Sequence, residues 1–89
     1  MISETTIRKV RELAIEDVLS PYVRLSRKGS TLMGLCPFHS EKTGSFAVTP
    51  SKNLFHCFSC NRGGDSITFI MEKENLSFSA AVEFIARNH

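Results

Sequence analysis

Apolar residues recur along this chain in more than one rhythm, and each rhythm predicts an element. Near the start, Ile7, Val10 and Leu13 or Ala14 return every three to four residues, the spacing of one helix face. Ile15, Val18 and Leu19 predict a second, short helical turn. Pro21 closes it, because the residue before a proline disfavours helical backbone. Alternation then takes over. Tyr22-Val23-Arg24-Leu25 puts Val23 and Leu25 on one face and reads as a strand, Lys28-Gly29-Ser30 as a turn, and residues 31–35 as the return strand. A second hairpin is predicted from 45–49 and 54–57 around the turn-rich Pro50-Ser51-Lys52-Asn53. Gly63-Gly64 reads as a break in the sheet. Helical spacing resumes with Asp65 as N-cap and Ile67, Ile70 and Met71 as a stripe. Ser77 caps a last helix with Ala81, Val82 and Ile85 facing inward, and Leu76 is placed to staple onto Ala81.

The pattern describes a single α+β unit over residues 1–89, with a helical lead-in at 4–20, a strand-rich middle at 22–62 and C-terminal helices at 65–88. A chain of 89 residues buries about 60–65% of its unfolded surface, so its core is marginal and a staple is expected. Composition excludes several classes. With 42% hydrophobic and 22% charged residues, the chain is neither disordered nor a disulfide-dense toxin. No apolar run nears the roughly 18 residues of a membrane span, so no membrane partner is expected. The polar stretch from Met1 to Lys9 predicts no export signal and hence a cytoplasmic protein with reduced thiols. Three cysteines in that setting point to metal or catalysis rather than to a disulfide framework.

The net charge of +2 conceals a strong asymmetry. Residues 1–23 sum to −1 and residues 63–89 to −2. Residues 24–62 carry Arg24, Arg27, Lys28, Lys42, Lys52 and Arg62 against Glu41 alone, a net +5. All three cysteines lie in this basic middle.

They come with a histidine. Cys36-Pro37-Phe38-His39 is a C-x2-H pair and Cys57-Phe58-Ser59-Cys60 a C-x2-C pair, with seventeen residues between them. Two residues between ligands allow a tight knuckle whose side chains reach one ion, and two knuckles complete the tetrahedron that zinc prefers with sulfur and nitrogen. Cys36, His39, Cys57 and Cys60 are therefore expected to hold one structural zinc ion with no open position. A redox reading of Cys57 and Cys60 is disfavoured by the next four residues, Asn61-Arg62-Gly63-Gly64, which do not open a helix. His56 is a rival ligand, but neighbouring strand residues point to opposite faces, so it should turn away where Cys57 turns in.

The same middle interleaves Phe46, Phe55 and Phe58 with its cations. Three thiolates and one zinc ion contribute −1 and leave about +4 there, a charge suited to phosphates. Exposed phenylalanines on such a surface would stack on bases of single-stranded nucleic acid. Phe55 or Phe58 is the expected stacking ring, and Lys42, Lys52 and Arg62, with Arg27 and Lys28, are the expected phosphate contacts. Against this stands the frequency with which phenylalanine is simply core. Catalytic patterns are missing: no carboxylate cluster suits magnesium, and Gly63-Gly64 lacks the lysine of a phosphate loop, so this stretch is expected to catalyse nothing alone.

Several spaced motifs resemble a known family. Gly34-Leu-Cys-Pro-Phe-His39, Glu41-Lys-Thr43, Ser45-Phe46, His56-Cys-Phe58, Cys60, Gly63-Gly-Asp65, Phe69, Met71-Glu72 and Leu76-Ser-Phe78 keep the order seen in the N-terminal zinc-binding domain of bacterial replicative DNA primases. Ile15 to Leu25 and Arg27-Lys-Gly29 resemble that family's lead-in, so the likeness covers about Ile7 to Ala86. It implies a zinc ribbon, a small antiparallel sheet flanked by helices, with the four ligands named above. It also implies contact with single-stranded DNA template, a part in selecting initiation sites for RNA primers, and work with a separate polymerase domain of the same or a neighbouring chain. The replicative helicase would be reached through the rest of such a protein. The chain departs from the family pattern at Gly44, where proline is usual, and at Ser59 and Asn61-Arg62, where small residues are common. Its length fits an excised domain or the front of a primase-like protein from a mobile element or phage. The rival reading from another class is a zinc-ribbon module that binds a protein through its outer helices.

Overall fold

The computed structural model describes residues 2–38 and 44–89. Two short helices lead in, α1 (Glu4–Glu12) and α2 (Ile15–Leu19). Ser3 caps α1 by accepting from the Thr6 N–H at 3.1 Å, whereas Ala14 offers α2 no side-chain cap. Five strands come next: β1 (Ser26–Lys28), β2 (Thr31–Gly34), β3 (Phe46–Thr49), β4 (Leu54–Cys57) and β5 (Gly63–Gly64). They form one antiparallel sheet in the order β1-β2-β3-β4-β5. Two helices close the fold, α3 (Ser66–Glu74) and α4 (Phe78–Asn88). Asp65 and Ser77 cap them through the N–H groups of Thr68 and Ala80, at 2.8 and 3.3 Å, as the sequence predicts.

The first strand is not where alternation places it. Residues 22–25 run in irregular backbone, and β1 begins at Ser26. Tyr22 is held elsewhere: its hydroxyl donates to Glu74 Oε2 at 2.7 Å and its ring meets Phe69 edge-on at 5.5 Å. The Val23 N–H still donates to Leu19 O at 3.1 Å, extending the end of α2. The β1–β2 loop is just Gly29-Ser30, with Gly29 at φ 66, a left-handed value that a tight hairpin demands of its glycine.

Gly63-Gly64 does not break the sheet; it supplies its last strand. Gly64 pairs with Phe55 and Gly63 with His56. Glycine permits this close approach. A Cβ on Gly63 would lie 3.0 Å from His56 Nδ1, and one on Gly64 would meet Thr68 Cβ at 2.9 Å.

The register sorts the faces. Leu32, Val48, Phe55 and Gly64 lie across one row, and Gly34, Phe46 and Cys57 across another. Phe46, Val48, Phe55 and Cys57 are buried, so these rows face the core with Ile67, Phe69 and Ile70 of α3 and Val82 and Ile85 of α4. Phe69 sits at the centre, with Tyr22, Phe38, Phe46 and Phe55 at ring separations of 5.5, 5.2, 6.1 and 5.4 Å. Met33, Ala47 and His56 occupy the outer face. No helix among the described residues is long and apolar enough to cross a membrane.

Candidate metal centre

The sheet brings the two cysteine segments to one end. Cys36 lies two residues past β2, Cys57 ends β4, and Cys60 lies in the turn toward β5. Their Sγ atoms all lie within 4.8 Å of one another, with Cys36 and Cys57 buried and Cys60 partly so. Tetrahedral zinc with bonds of about 2.3 Å sets its sulfurs about 3.8 Å apart. The Cys36 and Cys60 sulfurs are 3.6 Å apart, so the donor set fits that ion. His39 and Lys42 lie outside the described residues.

The second knuckle is closed by backbone hydrogen bonds. The Cys57 N–H donates to Arg62 O and the Asn61 N–H to Cys57 O, both at 2.8 Å, and the Phe58 N–H donates to Ser45 O at 2.9 Å. The chain turns through Asn61, whose φ of 63 lies in the left-handed region. Glycine or asparagine suits that backbone. Asn61→Val is expected to lower the thermal unfolding free energy of the zinc-loaded domain by about 1–2 kcal/mol, with Asn61→Gly near neutral. Equal stability of the two variants would refute a backbone role for Asn61.

Electrostatics disfavour three thiolates side by side. Burial pushes the Cys36 thiol up to about 12, opposed by the Phe38 backbone N–H and reinforced by the Cys57 and Cys60 sulfurs. A cation among the sulfurs reverses that balance, because it stabilises the thiolates that protons otherwise neutralise. The Ser59 hydroxyl lies 3.2 Å from Cys57 Sγ and receives a hydrogen bond from Ser45 Oγ at 2.9 Å, a polar rim that ligand spacing alone does not reveal. His56 turns away from the sulfurs, as alternation predicts, and meets Phe58 edge-on at 4.7 Å.

The expected nucleic-acid residues separate into groups. Phe55 leaves the set: it is 3% exposed, stacked on Phe46 at 5.4 Å, and cannot take a base without opening the core. Alternation carries the reason, since Cys57 faces inward and so must the residue two before it. Phe58 stands out at 69% exposure. Arg62 is at the same end, its guanidinium 4.9 Å from the Phe38 ring centre and its Nε 3.7 Å from Glu72 Oε2. Arg27, Lys28 and Lys52 are exposed at the opposite end, where the β1–β2 and β3–β4 turns meet.

Comparison with known proteins places these features. A family model described as the CHC2 zinc finger matches residues 2–89. The DNA primase of Streptomyces coelicolor is 49% identical over 87 residues, and that of Mycobacterium tuberculosis 52% identical over 87 residues. Each alignment covers 96% of this chain and 14% of the relative, so the chain spans about a seventh of their length. The crystal structure of the Aquifex aeolicus primase, comprising zinc-binding and RNA polymerase domains, superposes with a TM-score of 0.86 at 42% identity. That match covers 99% of this chain and 22% of the Aquifex chain.

Proposed function

The chain belongs to the CHC2 zinc finger family in the form carried by DNA primases, and from that premise we propose that it grips single-stranded template during primer synthesis. In this reading residues 1–89 are one zinc-binding domain. Cys36, Cys57 and Cys60, with His39 as fourth ligand, hold one structural zinc ion. The ion fixes the end of the sheet; when bound it supplies ligation, not chemistry on a substrate. The domain helps to choose where a primer starts, and a polymerase domain of the same or a neighbouring chain joins the ribonucleotides. Contact with the replicative helicase runs through the rest of such a protein, in the cytoplasm.

The observation that carries the reading is Phe58, a large apolar ring left 69% exposed on the zinc knuckle, four residues before the exposed Arg62. An exposed aromatic in a basic stretch suits a base and its phosphate. On the outer face Met33 and His56, both partly exposed, lie between that end and Arg27, Lys28 and Lys52. From Leu54 to Cys57, β4 spans roughly 10 Å at about 3.3 Å per residue, with Lys52 in the turn before it and Arg62 in the chain after it. Lys42 belongs to this set on charge alone.

Fluorescence anisotropy with a single-stranded oligonucleotide across a salt series tests this. Phe58→Ala is expected to weaken binding roughly tenfold at every salt concentration with an unchanged salt slope. Lys52→Ala is expected to flatten that slope by about 0.7, the value for one lost phosphate contact on a single strand. Binding by the zinc-loaded chain that neither substitution alters would count against the assignment, and no binding at all would end it.

A further inference from the structure

The two knuckles are tethered in different ways. The second is built into the sheet: Cys57 is the last residue of β4, and backbone hydrogen bonds close the turn after it. The first comes after β2 in irregular backbone and is gripped by side chains from α3. Lys73, in the last turn of α3, donates from Nζ to Pro37 O at 3.0 Å. Glu72, its neighbour, holds Arg62 at 3.7 Å, and that guanidinium covers the Phe38 ring. Phe38 also rests edge-on against Phe69 of α3 at 5.2 Å. Pro37 and Phe38 are the two residues between Cys36 and His39, so Lys73, Phe69 and Arg62 all reach inside the first ligand pair, and Glu72 does so through Arg62.

We infer that Lys73 and Glu72 form a latch that positions the first knuckle and sets how long the zinc ion is retained. Loss of a chelated ion proceeds ligand by ligand. A knuckle that swings away after one bond breaks lets the rest go, whereas one held in place recaptures the ion. The second knuckle cannot swing without breaking the β4–β5 end of the sheet. The first needs only to leave α3. A contact outside the ligands then acts on the metal through the ligands' orientation. Surface ion pairs contribute little to global stability, so the latch should affect zinc release far more than unfolding.

The inference rests on the zinc reading, and the experiment separates the two. Zinc-loaded protein is mixed with a chromogenic chelator and the release rate is measured, with the visible ligand-field and thiolate charge-transfer bands of the cobalt-substituted form as a second readout. Lys73→Met keeps the aliphatic stem and removes the donor. It is expected to speed release roughly three- to tenfold, at or just below the lower bound of outer-shell effects on metal affinity, about tenfold. Lys73→Arg, which can still donate to Pro37 O, should restore most of the parent rate. Glu72→Gln, at an exposed position that tolerates polar residues, should speed release less and serves if Lys73→Met folds poorly. A parent chain that loads no ion would sink the zinc reading itself. Release at the parent rate from both Lys73→Met and Glu72→Gln, whatever their melting temperatures, would overturn the latch.

Discussion

Cys57→Ser is expected to abolish stable zinc binding and to leave the strand region around residues 36–60 without cooperative structure. The Cys57 side chain has no solvent exposure, and its sulfur lies in the three-cysteine cluster. Magnitudes dictate the expected loss. A domain of this class is stable by about 5–15 kcal/mol in total, while structural zinc contributes roughly 10–16 kcal/mol of apparent free energy coupled to folding. Removing most of the second quantity leaves little of the first. Serine adds a hydroxyl of similar size but not the soft thiolate that zinc prefers. Chelation of the parent protein should reproduce the effect. Zinc content, far-ultraviolet circular dichroism and amide-exchange protection in β3 and β4 are the measurements. His56→Ala is the matched control, because that ring faces away from the sulfurs, and it should keep its ion. Protection in β3 and β4 that survives both chelation and Cys57→Ser would show that the apolar core suffices alone. Acid should mimic chelation. Because the buried Cys36 thiol holds its proton up to about 12 before metal binds, zinc must displace protons to bind at neutral pH. Binding therefore weakens as pH falls, and loaded-state stability falls with it.

Much of this centre could be read from residue spacing, and the parts that could not share a physical cause. Cys57 and Cys60 are local, with two residues between them, and their meeting with Cys36 follows from the strands between. The caps Asp65 and Ser77 are local as well, each bonding an N–H three residues on. What escaped depends on residues far away in sequence. The strand predicted over 22–25 fails because Tyr22 is drawn to Glu74 and Phe69, about fifty residues on. Gly63-Gly64 looks like a break until the neighbours a side chain would strike, His56 and Thr68, are known. Phe55 is the instructive case. The alternation that turns His56 outward and Cys57 inward also turns Phe55 inward, so its burial was implied by the reasoning applied to its neighbours.

Asn53 is the residue whose role no local pattern reveals, and its replacement should cost more than any other single polar change distant from the metal. In sequence it is one member of a turn, and the structure does place it there with φ 56. Its side chain reaches across to the junction of α1 and α2. The amide Nδ2 donates to Arg11 O at 3.1 Å and to Leu13 O at 2.9 Å, and Oδ1 accepts from the Ile15 N–H at 2.9 Å. Those groups are helix-end carbonyls of α1 and an N–H of the first turn of α2, which helices leave without internal partners. Ala14 cannot cap α2, so a residue thirty-eight positions after Ile15 does it. Three hydrogen bonds at about 0.5–1.5 kcal/mol each, plus left-handed backbone for a residue with a Cβ, put Asn53→Ala at roughly 2–4 kcal/mol of lost stability. Asn53→Gly removes the bonds and keeps the backbone freedom, so it should recover about 1 kcal/mol of that loss. Asn53→Asp should be as harmful as alanine at neutral pH, since a carboxylate has no hydrogen for the Arg11 and Leu13 carbonyls. Urea unfolding of the zinc-loaded variants, at pH values where the metal stays bound, reads these differences directly. If Asn53→Gly matches the parent, the amide contributes nothing and the helix junction must be held by the apolar contacts of Val10, Ile15 and Val18 instead.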